Sequence, residues 1–575
     1  MGTVSATRVG KRQALARDSG DPQTAGALGR SRRGAEQAAD DVTSMDRGPD
    51  QPHPPLPRRG PRRRDVVGLL GSGLAVSVLG APRASAQAAG SPQAVIQGAL
   101  GEGQRFTPLA VTDLARALAR RPFAPQPNDV PEPYAGLTYE RYVGIKAMPS
   151  ARIWEGEGRG FVAEPLLRGF VFASPVSLFT VEDGQVRRAV FDRSRFDFGA
   201  VQVPPNAPEP GFSGFRLEAA SNGSPPFEFA IVQGGTFFRA LARGQNFGTV
   251  ARALMLKPAE SRGEEFPFFR AFWLERPLAG SNALVAHGLI DSESATGSVR
   301  MTFRPGEVTI VDVETTLFPR VNLEHVGLGG MGTTFLLGPN VRRQTDDLRP
   351  AVYEASGLHM LNGQGEWLFR PLNNPDTLQV SAFLDENPRG FGLVQRERDF
   401  ASFQDDAQRF ERRPSVWIEP IGDWGQGGVQ LIEIPSDSEV NDNVLAYWRP
   451  RAAMAAGSEA AFAYRQFWSW APPERPVLAS VAMTRSGRGG GGRRRRFIVE
   501  FAGEGLANPV PDLRAAVSAA PGSIAAIRLW PYPERRAVRV AFELDPGNEN
   551  ACEMRLVLQS GQRAVSETWL YRWTP

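Results

Sequence analysis

Cysteine is almost absent from this 575-residue chain, which has one, Cys552. A single thiol excludes a disulfide framework, an iron–sulfur centre and any zinc site built on several thiolates. Histidine is nearly as scarce: His53, His287, His325 and His359 are the only four. They stand far apart and form no HxH or HExxH pattern, so no metal site is expected. Lysine is confined to Lys11, Lys146 and Lys257. No GxGxxG follows a strand pattern and no GxxxxGK[ST] occurs, so nucleotide-binding folds lose support. No GxSxG elbow marks a serine nucleophile. No apolar run reaches the roughly 20 residues that span a bilayer.

The residues that are present point to a folded, exported protein. Hydrophobic residues make up 41% of the chain, too many for a fully disordered polymer. At roughly 100–200 residues per domain the length suggests two to four domains. Residues 1–86 carry a surplus of six positive charges, and the rest has a net charge of −2. The body therefore has no global positive field, and no nucleic-acid partner is expected. Residues 1–57 are polar and non-periodic. Arg58, Arg59, Arg62, Arg63 and Arg64 come next, then the apolar stretch Val66 to Gly80 and an AxA site at Ala84-Ser85-Ala86. This order is that of an export signal cleaved near Ala86. Arg63-Arg64 with a weakly hydrophobic, Gly-rich stretch resembles a twin-arginine signal. The mature protein is expected in the periplasm.

Residues 87–106 read as a flexible start. In PLAVTDLARALAR, residues 108–120, Val111, Leu114 and Leu118 share one helical face, and Arg121-Pro122 ends the helix. Most of the chain beyond this helix alternates as β. Arg536–Leu544 places Val538, Val540, Phe542 and Leu544 on one face, and Cys552–Leu558 repeats the pattern. The fold class expected is all-β, with sandwiches rather than βαβ units. The Pro-rich stretch 471–476 reads as a linker between a large domain, 100–470, and a small β-sandwich, 477–575. The tract RSGRGGGGRRRR, 485–496, looks like a nucleic-acid-binding segment, but export and the strand-like Phe497–Phe501 favour a mobile loop.

Between 354 and 443 aromatic, amide and carboxylate side chains crowd together: Glu354, Trp367, Arg370, Asn373, Asn374, Arg413, Trp424, Glu439 and Asp442 among them. Sugar C–H faces stack on aromatic rings, and sugar hydroxyls bond Asn, Asp and Arg side chains. Cleaving a glycosidic bond needs two carboxyl groups, one protonated and one ionised. Residue types alone do not choose the pair.

Several long strings decide a resemblance: GFSGF (211–215), GEEFPFFRAFWLERP (263–277), GEWLFRPLNNP (365–375), ENPRGFGLVQRERDF (386–400), RRPSVWIEP (412–420), NDNVLAYW (441–448) and SETWLYRW (566–573). The chain resembles the periplasmic glucan biosynthesis family, OpgG/OpgD (MdoG/MdoD). The leader and the GEWL and LYRW details lie closer to the D, twin-arginine-exported member. The resemblance implies a galactose-mutarotase-like β-sandwich followed by an immunoglobulin-like one. It implies an inverting hydrolase or a transglycosylase acting on β-1,2-glucan, without metal or organic cofactor. A non-catalytic glucan-binding or assembly factor using the same groove is the alternative. An inner-membrane glucan synthase and a second copy of the chain are candidate partners.

Carried over by position, the resemblance makes Asp442 the general acid, kept protonated by burial or by Glu439, a second acidic site residue in the same loop. The general base falls at Glu354, where the family has Asp. Phe410 stands where the family usually has Tyr, and keeps a stacking face without the hydroxyl. Trp367, Trp424 and Phe410 would line the glucan, and Arg370, Arg413, Asn373 and Asn374 would orient its hydroxyls or brace loops.

Overall fold

The computed structural model describes residues 91–219, 226–341, 346–473 and 477–575. The leader and signal expected at 1–86, and residues 474–476 of the expected linker, lie outside the described residues. The described chain is nearly all β, as the alternation required, and is dominated by a ten-stranded and a fifteen-stranded sheet.

Alternation decides which side chains fill the gap between these sheets. In Phe268–Glu275 of the larger sheet, Phe272 and Leu274 enter the shared core, while Ala271 and Trp273 point away from it. In Gln426–Glu433 of the smaller sheet, Val429 and Leu431 enter the same core. Burying each such side chain fully stabilises the fold by about 1.5–3 kcal/mol. The outer face of the larger sheet is covered by two helices, Pro92–Leu100 and Pro108–Ala119. Their Ile96, Leu100, Leu114 and Leu118 pack on Phe179 and Trp273, and Trp273 Nε1 donates to the Leu100 carbonyl at 3.0 Å.

The second helix stands where its apolar spacing placed it. The first corrects the reading of 87–106 as flexible. Ser91 caps it, accepting from Ala94 N at 3.2 Å, and Pro92 opens it. Two buried apolar residues one turn apart, Ile96 and Leu100, suffice to dock so short a helix.

In residues 477–575 a four-stranded sheet faces the strands Leu513–Ala520, Cys552–Ser560 and Thr568–Trp573. Phe497, Phe542, Trp569 and Tyr571 stack in the core between them. Those three strands end the fifteen-stranded sheet, because Thr568–Trp573 runs parallel to Trp367–Pro371. Phe369 and Val394 accordingly pack into this second core. The tract 485–496 is not the loop expected of it. Ser480–Arg488 pairs with Arg495–Ala502, which leaves only 489–494 as the connection. Among the described residues no helix is long and apolar enough to cross a membrane.

Candidate functional site

The strand Val326–Thr333, VGLGGMGT, is buried throughout. It pairs with Val250–Arg252 on one side and Val444–Pro450 on the other, with Gly332 opposite both Val250 and Leu445. Asp442 lies two residues before Val444 and comes over Gly332, where a Cβ would stand 3.1 Å from Asp442 Oδ2. Glycine inside a strand commonly marks such a close approach.

The residues after Gly332 fasten both acid-bearing segments. Thr249 Oγ1 donates to Thr333 Oγ1 at 3.1 Å, and Thr333 Oγ1 reaches Glu354 Oε2 at 3.4 Å. Glu354 N donates to the Thr334 carbonyl at 3.0 Å. Thr334 Oγ1 is placed to donate to the carbonyls of Glu439, at 3.2 Å, and Asn441, at 3.1 Å. Phe335 N donates to Asn443 Oδ1 at 2.8 Å. Glu354 and Asp442 are thus held on one short spine, within electrostatic reach of each other.

Burial raises the Glu354 carboxyl above its ordinary value, and the Asp442 charge adds to this, while the Arg413 and Arg239 charges oppose it. Arg413 donates to Gln408 Oε1 at 2.8 Å and lies 5.5 Å from the Phe410 ring. Gly248 leaves room for it, since a Cβ there would stand 2.9 Å from Arg413 Cδ. Burial pushes the Arg413 guanidinium down, and Glu354 pulls it back up. Phe410 is buried against Phe403, and its carbonyl accepts from Gln395 Nε2. The same Gln395 amide donates to the Tyr353 carbonyl, one residue before Glu354.

Glu439 has a different setting from the one expected. Arg349 binds Glu439 and also Asp347, at 2.7 Å, and Asp405, at 2.8 Å. These three carboxylates raise the Arg349 guanidinium further above its already high value. Glu439 is therefore neutralised by an arginine. The carboxyl on which the Asp442 charge acts is Glu354.

Five other expected contacts are not brought to this spine. Trp367 stacks against both His359 and Trp417, with centroids 4.8 and 5.7 Å away, on the face turned from the main core. The strand Gly357–Leu361 begins beside Glu354 and ends opposite Trp367, about 13 Å further along at the strand rise. Trp424 is buried among Phe391, Trp448 and Tyr464, and donates to the Ala463 carbonyl at 3.2 Å. It lies past the far end of Ser415–Ile421, about 20 Å along that strand from the end nearest Glu354. Arg370 is sealed in an ion pair with Glu433 at 3.0 Å. Asn373 N donates to the same carboxylate at 2.6 Å. Asn374 clamps the loop before Asp442, donating to the carbonyls of Leu336 and Ser436 and accepting from Ser436 N. The Arg370 guanidinium and the Asn374 side-chain amide are buried and paired within the protein, as buried charges and amides must be, whereas Asn373 is held through its backbone.

Thr333, Thr334, Arg239 and Arg349 were missed from the sequence. The repeated glycines of GLGGMGTT, 327–334, were the available signal for the first two. The arginines gave none, because one among so many is indistinguishable without its partners. Among the described residues no group of three or more His, Cys, Asp or Glu side chains is arranged to hold a metal ion.

Comparison with known proteins fits these strings. The family model "Periplasmic glucan biosynthesis protein, MdoG" matches residues 106–573. The chain belongs to the MdoG family. A "Glucans biosynthesis protein G" from Bradyrhizobium diazoefficiens is 43% identical over 83% of this chain and 95% of that protein. One from Vibrio cholerae is 42% identical over 81% and 86%, and one from a Shewanella species 44% over 81% and 86%. Among solved structures, a galactose mutarotase related enzyme from Lactobacillus acidophilus aligns with 43% of this chain and 99% of its own. It does so at 9% identity and a TM-score of 0.19, a likeness too weak to carry weight.

Proposed function

We propose that this MdoG-family protein is an exported enzyme that acts on a β-1,2-linked glucan, as an inverting hydrolase or a transglycosylase. The observation that carries the reading is the meeting of Glu354 and Asp442 on the Gly332–Thr334 spine, with Arg413 beside them. Asp442 donates its proton to the departing glycosidic oxygen. Glu354 takes a proton from the attacking water, and the anomeric configuration inverts. Inversion needs a gap of about 6.5–9.5 Å between the carboxyl groups, enough for one water.

In the free protein, burial favours a proton on Glu354. The mechanism needs that proton to be on Asp442 once a sugar ring fills the site, with Arg413 and Arg239 holding Glu354 ionised. Arg349, by neutralising Glu439 and Asp405, lowers the negative charge around the pair.

The second reading is a glucan-binding or assembly factor without turnover. The buried Phe410 favours it, since no hydroxyl is available there for a proton path. The packed settings of Trp367 and Trp424 also leave the groove with fewer stacking faces.

Incubating the purified mature protein with linear β-1,2-glucan separates the two. New reducing ends or transfer products of inverted configuration support the enzyme. Binding without products supports the second reading, and neither contradicts both.

Export by the twin-arginine route, with cleavage near Ala86, belongs to the same proposal and rests on Arg63-Arg64 and Ala84-Ser85-Ala86. So does the leaning towards the D member, although the relatives above carry the G name. Loss of export in a double R63K/R64K protein is the expected result.

A further inference from the structure

The arginine tract 485–496 has no part in the function proposed above, yet the fold gives it a specific place. A cavity of about 760 Å³ lies between this hairpin, the segment 373–376 and the end of the last strand. Arg488, Arg493 and Arg495 line it, with Asn373, Tyr571 and Trp573. Two glycines of the hairpin, Gly487 and Gly492, also border it, and a Cβ on either would meet nothing within 4 Å. The wall is open where side chains would otherwise fill it.

The charges in this wall are poorly compensated. Arg494 pairs with Asp545 at 2.9 Å and Arg496 with Glu543. Arg493 instead spends its donors on the carbonyls of Gly547 and Glu549 and on the Asn550 side chain, with its guanidinium 5.7 Å from the Trp573 ring. Among the described residues Arg495 reaches Ser486 Oγ, at 3.5 Å, and its Nε is buried without a partner there. No ion pair holds Arg488 among the described residues. Arg488 and Arg495 also stand directly opposite each other on antiparallel strands. Like charges directly opposite each other destabilise a sheet. Asp376 is the acidic side chain in the wall, which the last residue, Pro575, also borders, against the guanidiniums of Arg488, Arg493, Arg494 and Arg495. A cross-strand pair of like charges that converges on an open cavity is what an anion would relieve.

We propose that this cavity binds a phosphate group, carried on a sugar or free in solution. The guanidiniums supply forked, charge-assisted donors for a tetrahedral oxyanion. Asn373 is the neutral donor and acceptor beside them, suited to a sugar hydroxyl. The site is separate from the Glu354–Asp442 pair and shares no residue with it. The two proposals therefore stand or fall independently.

Calorimetric titration of the mature chain at low ionic strength tests this, with inorganic phosphate, glucose 6-phosphate and glucose as the three probes. Both phosphates are expected to bind, weakening with added salt, and glucose is not. Arg488 and Arg493 are exposed, so the double R488A/R493A protein keeps its fold, checked by an unchanged far-ultraviolet spectrum. It is expected to lose about ten-fold or more in phosphate affinity. D442N is expected to bind phosphate as the wild type does. Tighter binding of glucose 6-phosphate than of phosphate supports a sugar carrier, and equal binding supports the free ion. Equal affinities in the wild type and the double substitution, or no phosphate binding by the wild type, overturn the site.

Discussion

Asp442 occupies the space that a side chain at Gly332 would need, with Oδ2 only 3.1 Å from the missing Cβ. Val250 Cγ1 is equally near, so the methyl of Gly332→Ala has two neighbours to displace and the carboxylate is the freer one. The acid should shift by a few tenths of an ångström while the strand persists. Misplacement by about 1 Å costs up to about 100-fold in rate. Glucan turnover is expected to fall well below that of the wild type, with the melting temperature little changed. Undiminished turnover would mean that the position of Asp442 is irrelevant to the chemistry.

Arg349 joins three carboxylates from three parts of the chain, Asp347, Asp405 and Glu439. Arg349→Met removes the charge that binds all three. Asp405 is buried and the other three side chains are part-buried, so a loss of about 1–3 kcal/mol in stability is expected, less than for a fully sealed pair. Chemical denaturation measures it. Glucan affinity should fall too, because Glu439 sits on the loop that carries Asp442. A variant as stable and as active as the wild type would show the clamp to be dispensable.

Glu567 fixes the C-terminal strands to the larger sandwich. It binds Arg396 and Val481 N, and lies 3.0 Å from His359 Nε2. Burial alone would raise its carboxyl, but the Arg396 charge and His359 outweigh burial and hold it at about 2. Burial, helped by Arg396, pushes His359 below its ordinary value. A carboxyl depressed from about 4.3 adds stability above that pH, and this is lost as the pH falls through about 2. A depressed imidazole adds stability above about pH 6.5, lost on acidification because the unfolded chain takes the proton first. The melting temperature should therefore decline as the pH drops from about 6.5, and more steeply below about 4.5. Glu567→Gln should flatten the lower part of that profile. A wild-type profile level down to pH 4 would contradict this account.

Phe410 packs within 5.9 Å of Phe403 and 5.5 Å of the Arg413 guanidinium. Phe410→Tyr adds one oxygen to a ring already beside the site. If the reading of the groove is right, the new hydroxyl supplies the missing hydrogen bond to sugar or water, and initial rates on β-1,2-glucan rise. An unchanged rate, with the protein still folded, would remove position 410 from the proton path.

The fold was legible in the sequence where periodicity was strong. The faces Val538, Val540, Phe542, Leu544 and Cys552, Met554, Leu556, Leu558 all enter one core. The helix at 92–100 was hidden because nine residues with two apolar anchors give almost no periodic signal. The tract 485–496 misled because glycine and arginine propensities favour loops, whereas cross-strand pairing with 480–488 decides its backbone. At the site, Glu354, Asp442 and Arg413 were named from their strings and the fold brings them together. Trp367, Trp424, Arg370 and Asn374 were named for chemistry that a sugar would use, and the protein uses the same chemistry on itself. A tryptophan or a buried arginine reads alike in sequence whether it faces a ligand or a neighbouring strand. Only register separates the two cases.

The most direct measurement of the central claim is the release of reducing ends from linear β-1,2-glucan by Asp442→Asn beside the wild type, with glucan affinity measured on both. Loss of a positioned general acid costs about 100- to 10,000-fold in rate. A fall of that order, with affinity within a few-fold of the wild type, is the expected result. Turnover by Asp442→Asn comparable to that of the wild type would contradict the account.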